Sequence, residues 1–201
     1  HPRGGGDADA VVAPLLEGLD ALLGDRPLDV VAFSFGSLVA ALLTSQHPER
    51  VARLVLVGAP VGPLQRGRGG GLKPWGRTSS REERAKVHRH NLAALMLHRP
   101  QSIDELALAL HAANVPRDRM RRRRLVTTSA MQEAVARFAC PFSAVYGGED
   151  VLLHGIWPQV ETALQANPGF RGMTAIEQAG HWVQYEKPDR FNGAMLAALR
   201  A

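Results

Sequence analysis

The sequence predicts an α/β fold with a mostly parallel sheet flanked by helices, and two stretches of the chain carry that prediction. An apolar run at 28–33 leads into a helix-length run that Pro48 ends, and a second apolar run follows at 54–57. Strand, helix and strand in this order are typical of a right-handed parallel unit. The alternation returns over residues 139–201, so we expect one α/β core that a different segment interrupts.

The core is predicted to begin with a helix that ends at about Leu23. Asp7 is a suitable N-cap for it, and Pro14 is expected to bend this helix or delay its start. Turn residues at 24–27 come next. After the first strand we expect a buried helix at about 37–47, stopped by the proline that follows it.

Residues 61–138 interrupt this rhythm and are predicted to be a glycine-rich linker followed by a helical lid. Glycine and proline crowd residues 61–78, which favours a long connection. Capping boxes at 79–83 and a cap at Ser102 mark the starts of helices. Three helices are predicted here, at about 79–98, 102–115 and 125–138. A helical block between two strands is expected to cover the carboxyl end of the sheet.

The second part of the core, residues 139–201, is predicted to complete the sheet. We expect a strand at 142–146, a helix at about 156–166, a strand at 172–176 and a last helix that Pro188 opens. The domain organisation is therefore a first core segment at 1–60, the linker and lid at 61–138, and the second core segment.

Composition limits the classes of function. The 201-residue chain has a formal net charge of +5 and 45% hydrophobic residues. The excess of arginine is concentrated at 66–84 and 117–124, without any nucleic-acid-binding motif, so no nucleic-acid partner is expected. Cys140 is the only cysteine, which rules out an intrachain disulfide. No apolar stretch is long enough to span a membrane, and we expect a cytoplasmic protein.

Ser34 is the first candidate for chemistry. It lies between the strand and the helix in the pattern Ala32-x-Ser34-x-Gly36. A sharp turn around one serine is expected to need small neighbours, because larger side chains would collide. Such a turn lifts the hydroxyl above the sheet and places backbone N–H groups at a helix N-terminus. The pattern alone is equally compatible with an ordinary serine in a turn.

Asp150 and His181 strengthen that interpretation. A serine hydroxyl is a poor nucleophile until a base takes its proton, and the base needs a carboxylate to orient it. Each of the three residues follows its own predicted strand, and the carboxyl ends of parallel strands meet at one edge. Glu149 is the alternative acid, and an ordinary loop histidine is the alternative interpretation of His181.

The other histidines do not form a convincing metal site. His88 and His90 are two residues apart on a predicted helix and face different sides. His98 and His111 have no carboxylate at ligand spacing. We therefore expect no metal and no cofactor.

The chain resembles the α/β-hydrolase fold superfamily in four segments that occur in the order usual for that family. These segments are 30–40, 47–57, 146–150 and 179–182. The resemblance implies that Ser34 is the nucleophile, Asp150 the triad acid and His181 the general base. It also implies that the backbone N–H of Phe35 is one donor of the oxyanion hole.

The function expected from this resemblance is a serine hydrolase of the esterase type, acting on a small-molecule acyl substrate through an acyl-enzyme. An amide, a thioester or a vinylogous C–C bond is the alternative substrate, and acyl transfer is a related reaction. A non-catalytic or truncated protein that keeps the triad letters is the alternative from another class.

Only 33 residues precede Ser34, whereas the family normally places four strands before its nucleophile. The chain therefore looks like a family member that lacks its first part, including the second oxyanion donor. The strand at 28–33 would then be an exposed apolar edge. We expect self-association of this chain, such as a homo-oligomer, and weak catalysis.

Overall fold

A computed structural model describes residues 9–61, 71–78, 80–118, 126 and 128–201. The predictions for Asp7, for the linker residues 62–70 and for most of the arginine-rich segment lie outside these residues.

The centre of the fold is a four-stranded sheet in which every described pairing is parallel. Its strands, in spatial as well as chain order, are β1 (Leu28–Phe33), β2 (Val51–Val57), β3 (Phe142–Gly147) and β4 (Phe170–Ile176). This confirms the predicted α/β fold with a parallel sheet. β2 and β4 begin earlier than predicted, because they pair with their neighbours beyond the apolar runs that mark them in the sequence.

Eight α-helices are described around this sheet. They are α1 (Asp9–Leu23), α2 (Phe35–Gln46), α3 (Arg81–Asn91), α4 (Glu105–Asn114), α5 (Ala130–Val135), α6 (Trp157–Gln165), α7 (Val183–Glu186) and α8 (Pro188–Ala198). The short helix α7 was not predicted. Pro188 opens α8 as expected, at a position where its missing N–H costs no helical hydrogen bond.

The two faces of the sheet bury different helices. Side chains of α1, α2, α5 and α6 form the larger apolar cluster on one face, and α8 with α7 covers the other. Helix α5 falls within the predicted lid segment, yet it packs against α2 in this main core. Burial on both faces explains why the two central strands, β2 and β3, are mostly apolar.

Helices α3 and α4, which lie between β2 and β3, form a unit of their own, here called the insertion (the described residues of 71–118). Ser80 caps α3 by accepting from the Glu83 N–H at 3.1 Å, as predicted. The cap of α4 is Asp104, whose side chain accepts from the Ala107 N–H, and the prediction of Ser102 was wrong. Ser102 instead ends a 3-10 turn that runs over Pro100–Ser102, so it lies one turn before the start of α4.

Helix α3 is shorter than predicted. It ends at Asn91 and continues as a π-helical turn over Leu92–Met96. Leu92 and Leu97 then pack with Ile103 in a small apolar cluster inside the insertion. We infer that burial of these side chains ends α3 at Asn91. No residue pattern near Asn91 had indicated this end.

β1 is an edge strand of the described sheet. Val31, on the face that α8 covers elsewhere, is 41% exposed. An edge strand offers unpaired N–H and C=O groups to another strand.

Candidate active site

Ser34 lies in a strained turn between β1 and α2. Its φ is 52° and its ψ is −120°, a conformation that residues other than glycine rarely adopt. The Ser34 N–H donates to the Val57 carbonyl at 2.7 Å, which ties the turn to β2. A Cβ added to Gly36 would meet no atom of the described residues within 4 Å, so the expected crowding is not seen at that position.

Ser37, in the first turn of α2, stabilises the same turn. Its buried hydroxyl is 2.6 Å from the Ala32 carbonyl and 3.2 Å from the Val57 carbonyl. A hydroxyl has one proton and donates it to one of these carbonyls at a time. No role was assigned to Ser37 from the sequence, and its place three residues after Ser34 was the available signal.

The structure brings Ser34, His181 and Asp150 together in one hydrogen-bonded chain. His181 Nε2 is 2.8 Å from Ser34 Oγ, and His181 Nδ1 is 2.7 Å from Asp150 Oδ2. His181 is 2% exposed and Asp150 is 1% exposed. An ionised carboxylate can only accept, so Nδ1 carries the proton and Nε2 is left to accept from the serine hydroxyl.

Asp150, and not Glu149, makes the contact with His181. The other carboxylate oxygen of Asp150 accepts from the Leu152 N–H at 3.0 Å, which fixes the rotation of the carboxylate. Glu149 instead uses its backbone N–H, which donates to the Ala179 carbonyl at 2.9 Å. Of the two acids considered from the sequence, Asp150 is the one that is hydrogen-bonded to His181.

Glycines let the loop that carries His181, here called the histidine loop (residues 177–182), approach the sheet. Gly58 follows β2 with a φ of 53°, and a Cβ added there would lie 3.1 Å from His181 Cε1 and 3.2 Å from Phe33 Cε2. A side chain at Gly147 would overlap the backbone carbonyl of Gly180. Sequence reasoning did not single out Gly58, although a glycine directly after a buried strand was the available signal.

The residues after His181 contact the insertion. Trp182 donates its backbone N–H to the Met96 carbonyl at 2.8 Å, and its side chain packs with Tyr185 on the apolar cluster of the insertion. Trp182 therefore packs against the insertion.

His88 and His111 form a buried pair within the insertion. Their Nδ1 atoms are 2.8 Å apart, and the ring of Trp75 stacks on His88 with 6.4 Å between centroids. Burial, followed by the charge of His88, lowers the pKa of His111 to about 4. Within the described ranges, no group of three or more His, Cys, Asp or Glu residues is placed to hold a metal ion.

No helix among the described residues is long and apolar enough to cross a membrane.

Comparisons with known proteins concern the family and the fold. A family model described as alpha/beta hydrolase fold matches residues 7–148. No curated protein matches the sequence.

Several solved structures match the whole fold. A meta-cleavage product hydrolase from Pseudomonas fluorescens IP01 matches with a TM-score of 0.75 and 22% identity, covering 100% of this chain and 74% of that one. A serine hydrolase involved in carbazole degradation matches with a TM-score of 0.71 and 19% identity, covering 100% and 74%. An esterase from Rhodococcus sp. ECU1013 matches with a TM-score of 0.68 and 20% identity, covering 97% and 73%. At these identities the likeness shows the fold.

Proposed function

The chain belongs to the alpha/beta hydrolase fold family, and from that premise we propose that it is a serine hydrolase that cleaves a carboxylic ester of a small molecule. The observation that carries the proposal is the hydrogen-bonded chain from the buried Asp150 through the buried His181 to the partly buried Ser34, with heavy-atom distances of 2.7 and 2.8 Å. These distances are within reach for proton transfer in both directions.

In the first half of the proposed reaction, Ser34 Oγ attacks the ester carbonyl carbon while its proton passes to His181 Nε2. The negative charge of Asp150 stabilises the imidazolium that forms. The carbonyl oxygen becomes an oxyanion, which we assign to the backbone N–H of Phe35 in the first turn of α2. His181 then gives its proton to the leaving alkoxide, and an alcohol departs from acyl-Ser34.

In the second half, water attacks the acyl carbon and His181 takes one of its protons. The carboxylic acid leaves as Ser34 regains its hydroxyl proton, so the enzyme returns to its starting state. We propose that the insertion acts as the lid of this site. The backbone contact between Trp182 and Met96 supports that role, because it places the insertion beside the histidine loop. A cytoplasmic location stays a prediction.

Labelling with a fluorophosphonate probe tests the nucleophile. We expect the probe to modify the folded chain, and Ser34→Ala to abolish the labelling. Ser45→Ala is the matched control. Ser45 lies on α2, the helix that Ser34 precedes, and its hydroxyl donates to the Leu42 carbonyl. Equal labelling of Ser34→Ala and wild type, or no labelling of folded wild type, would overturn the proposal and favour a non-catalytic protein.

A substrate panel tests the ester assignment. p-Nitrophenyl esters of increasing acyl length should be hydrolysed in a Ser34-dependent way. The panel includes a meta-cleavage product as the C–C substrate, because one structural neighbour is described as a meta-cleavage product hydrolase. If that compound is cleaved in a Ser34-dependent way and no ester is hydrolysed, a C–C bond replaces the ester as the proposed substrate.

A further inference from the structure

Glu186 is a buried carboxylate that the proposed reaction does not use. It ends α7 and is 6% exposed. Its Oε2 accepts from the Gly180 N–H at 2.6 Å and from the His98 N–H at 3.0 Å, and its Oε1 accepts from the Arg99 N–H at 2.8 Å. Burying a carboxylate is costly unless hydrogen bonds replace its water, and three backbone donors do so here.

These three donors come from two segments that are far apart in the chain. Gly180 directly precedes His181, whereas His98 and Arg99 follow the π-helical turn of the insertion. Gly180 also makes the approach possible, because a Cβ there would lie 2.8 Å from the His98 nitrogen and 3.2 Å from Glu186 Oε2. The carboxylate therefore joins the histidine loop to the insertion.

His181 is consequently held from both sides along the backbone. Gly180 before it is bound to the insertion through Glu186, and Trp182 after it is bound through the Met96 carbonyl at 2.8 Å. The His181 ring must satisfy Ser34 and Asp150 at the same time, which allows it little displacement. A shift of about 1 Å in such an arrangement can cost roughly 100-fold in rate.

We propose that Glu186 is a positioning residue that keeps His181 aligned between Ser34 and Asp150 by binding its loop to the insertion. The proposal rests on the proposed function, for which His181 is the general base. Three N–H donors require a side chain that only accepts. In glutamine an NH2 group replaces one of the two carboxylate oxygens. That NH2 group would face a backbone N–H and leave it without an acceptor.

The test compares Glu186→Gln with wild type by ester kinetics and by proton NMR of the His181 Nδ1–H, which is hydrogen-bonded to Asp150. We expect kcat to fall about 10- to 100-fold with little change in KM, and the Nδ1–H resonance to shift or broaden. Glu161→Gln is the control, because Glu161 on α6 contacts the Gln165 side chain at the surface. Glu186→Asp keeps the charge but is one methylene shorter, so we expect an intermediate loss.

A folded Glu186→Gln or Glu186→Asp that keeps the wild-type kcat and the wild-type resonance would overturn the proposal, even if its Tm fell. If Glu186→Gln does not fold, the kinetics and resonance of Glu186→Asp decide. The NMR comparison needs no turnover. An inactive wild-type chain would therefore overturn the proposed function, while the resonance still decides the role of Glu186.

Discussion

Single residues determine whether His181 can reach both of its partners. Ser34 holds a positive φ that costs about 1–3 kcal/mol for a residue other than glycine, and the hydrogen bonds of its N–H and of Ser37 offset that strain. Gly58 adopts a similar positive φ without such strain, because it has no Cβ. The missing Cβ also leaves room for the His181 imidazole. The ring of Phe33 lies beside His181, with 4.9 Å between centroids.

Gly58→Ala should therefore reduce activity. The new methyl group would press on His181 and on Phe33, and the positive φ would add about 1–2 kcal/mol of backbone strain. We expect at least about a tenfold loss of kcat/KM, in line with a small displacement of a catalytic group. Ester kinetics and urea unfolding measure the two effects.

Gly18→Ala in α1 is the control for this prediction. A Cβ there would meet no described atom within 4 Å, and alanine in a helix gains about 0.5–1 kcal/mol over glycine. Its activity should not change. Wild-type kcat/KM in Gly58→Ala would contradict the argument that this position must stay without a side chain.

At the scale of secondary-structure elements, a polar contact between α3 and α4 connects these two helices of the insertion. The Nδ1 atoms of His88 and His111 form the buried link between these helices, and Trp75 stacks on it. Burial lowers the pKa of both histidines, with the charge of Arg84 adding to the effect on His88. Both rings are thereby kept neutral in the folded state.

The stability of the insertion should fall at acidic pH. A histidine whose pKa is lowered on folding, here His111 from 6.5 to about 4, binds its proton more readily in the unfolded chain. Its contribution is complete above about pH 6.5 and is lost as the pH falls towards 4. Thermal unfolding and amide hydrogen exchange of α3 and α4 at pH 7 and pH 5 measure this loss.

His111→Gln removes the titrating group and should flatten this part of the pH dependence. His154→Gln, at an exposed position, should keep the wild-type dependence. The same pH slope in His111→Gln as in wild type would show that other groups cause the loss.

At the scale of the whole fold, the sheet formed by the described residues has an edge at β1. The described sheet ends there, and Val31 exposes a β-branched side chain beside unpaired backbone groups. An apolar edge strand of this kind can pair with the same strand of a second copy.

We predict that the 201-residue chain self-associates through β1. Light scattering after size exclusion should show species larger than a monomer, in proportions that rise with concentration. Val31→Lys should lower that fraction, because a charge on an edge strand opposes pairing. Leu22→Lys, which places the same charge at an exposed position of α1, is the control. A monodisperse wild-type monomer at high concentration would contradict the prediction.

The sequence by itself determined the α/β architecture and the candidates for one site, namely Ser34, His181 and an acid at 149 or 150. Apolar runs are local signals, and the carboxyl ends of parallel strands meet wherever such strands form, so these candidates could be expected at one edge of the sheet. Only the tertiary structure decided that Asp150 rather than Glu149 contacts His181, that Gly58 lies against the imidazole, and that Glu186 joins two distant segments. These contacts depend on how separate elements pack, and no local pattern along the chain records which backbone N–H groups a buried carboxylate will meet.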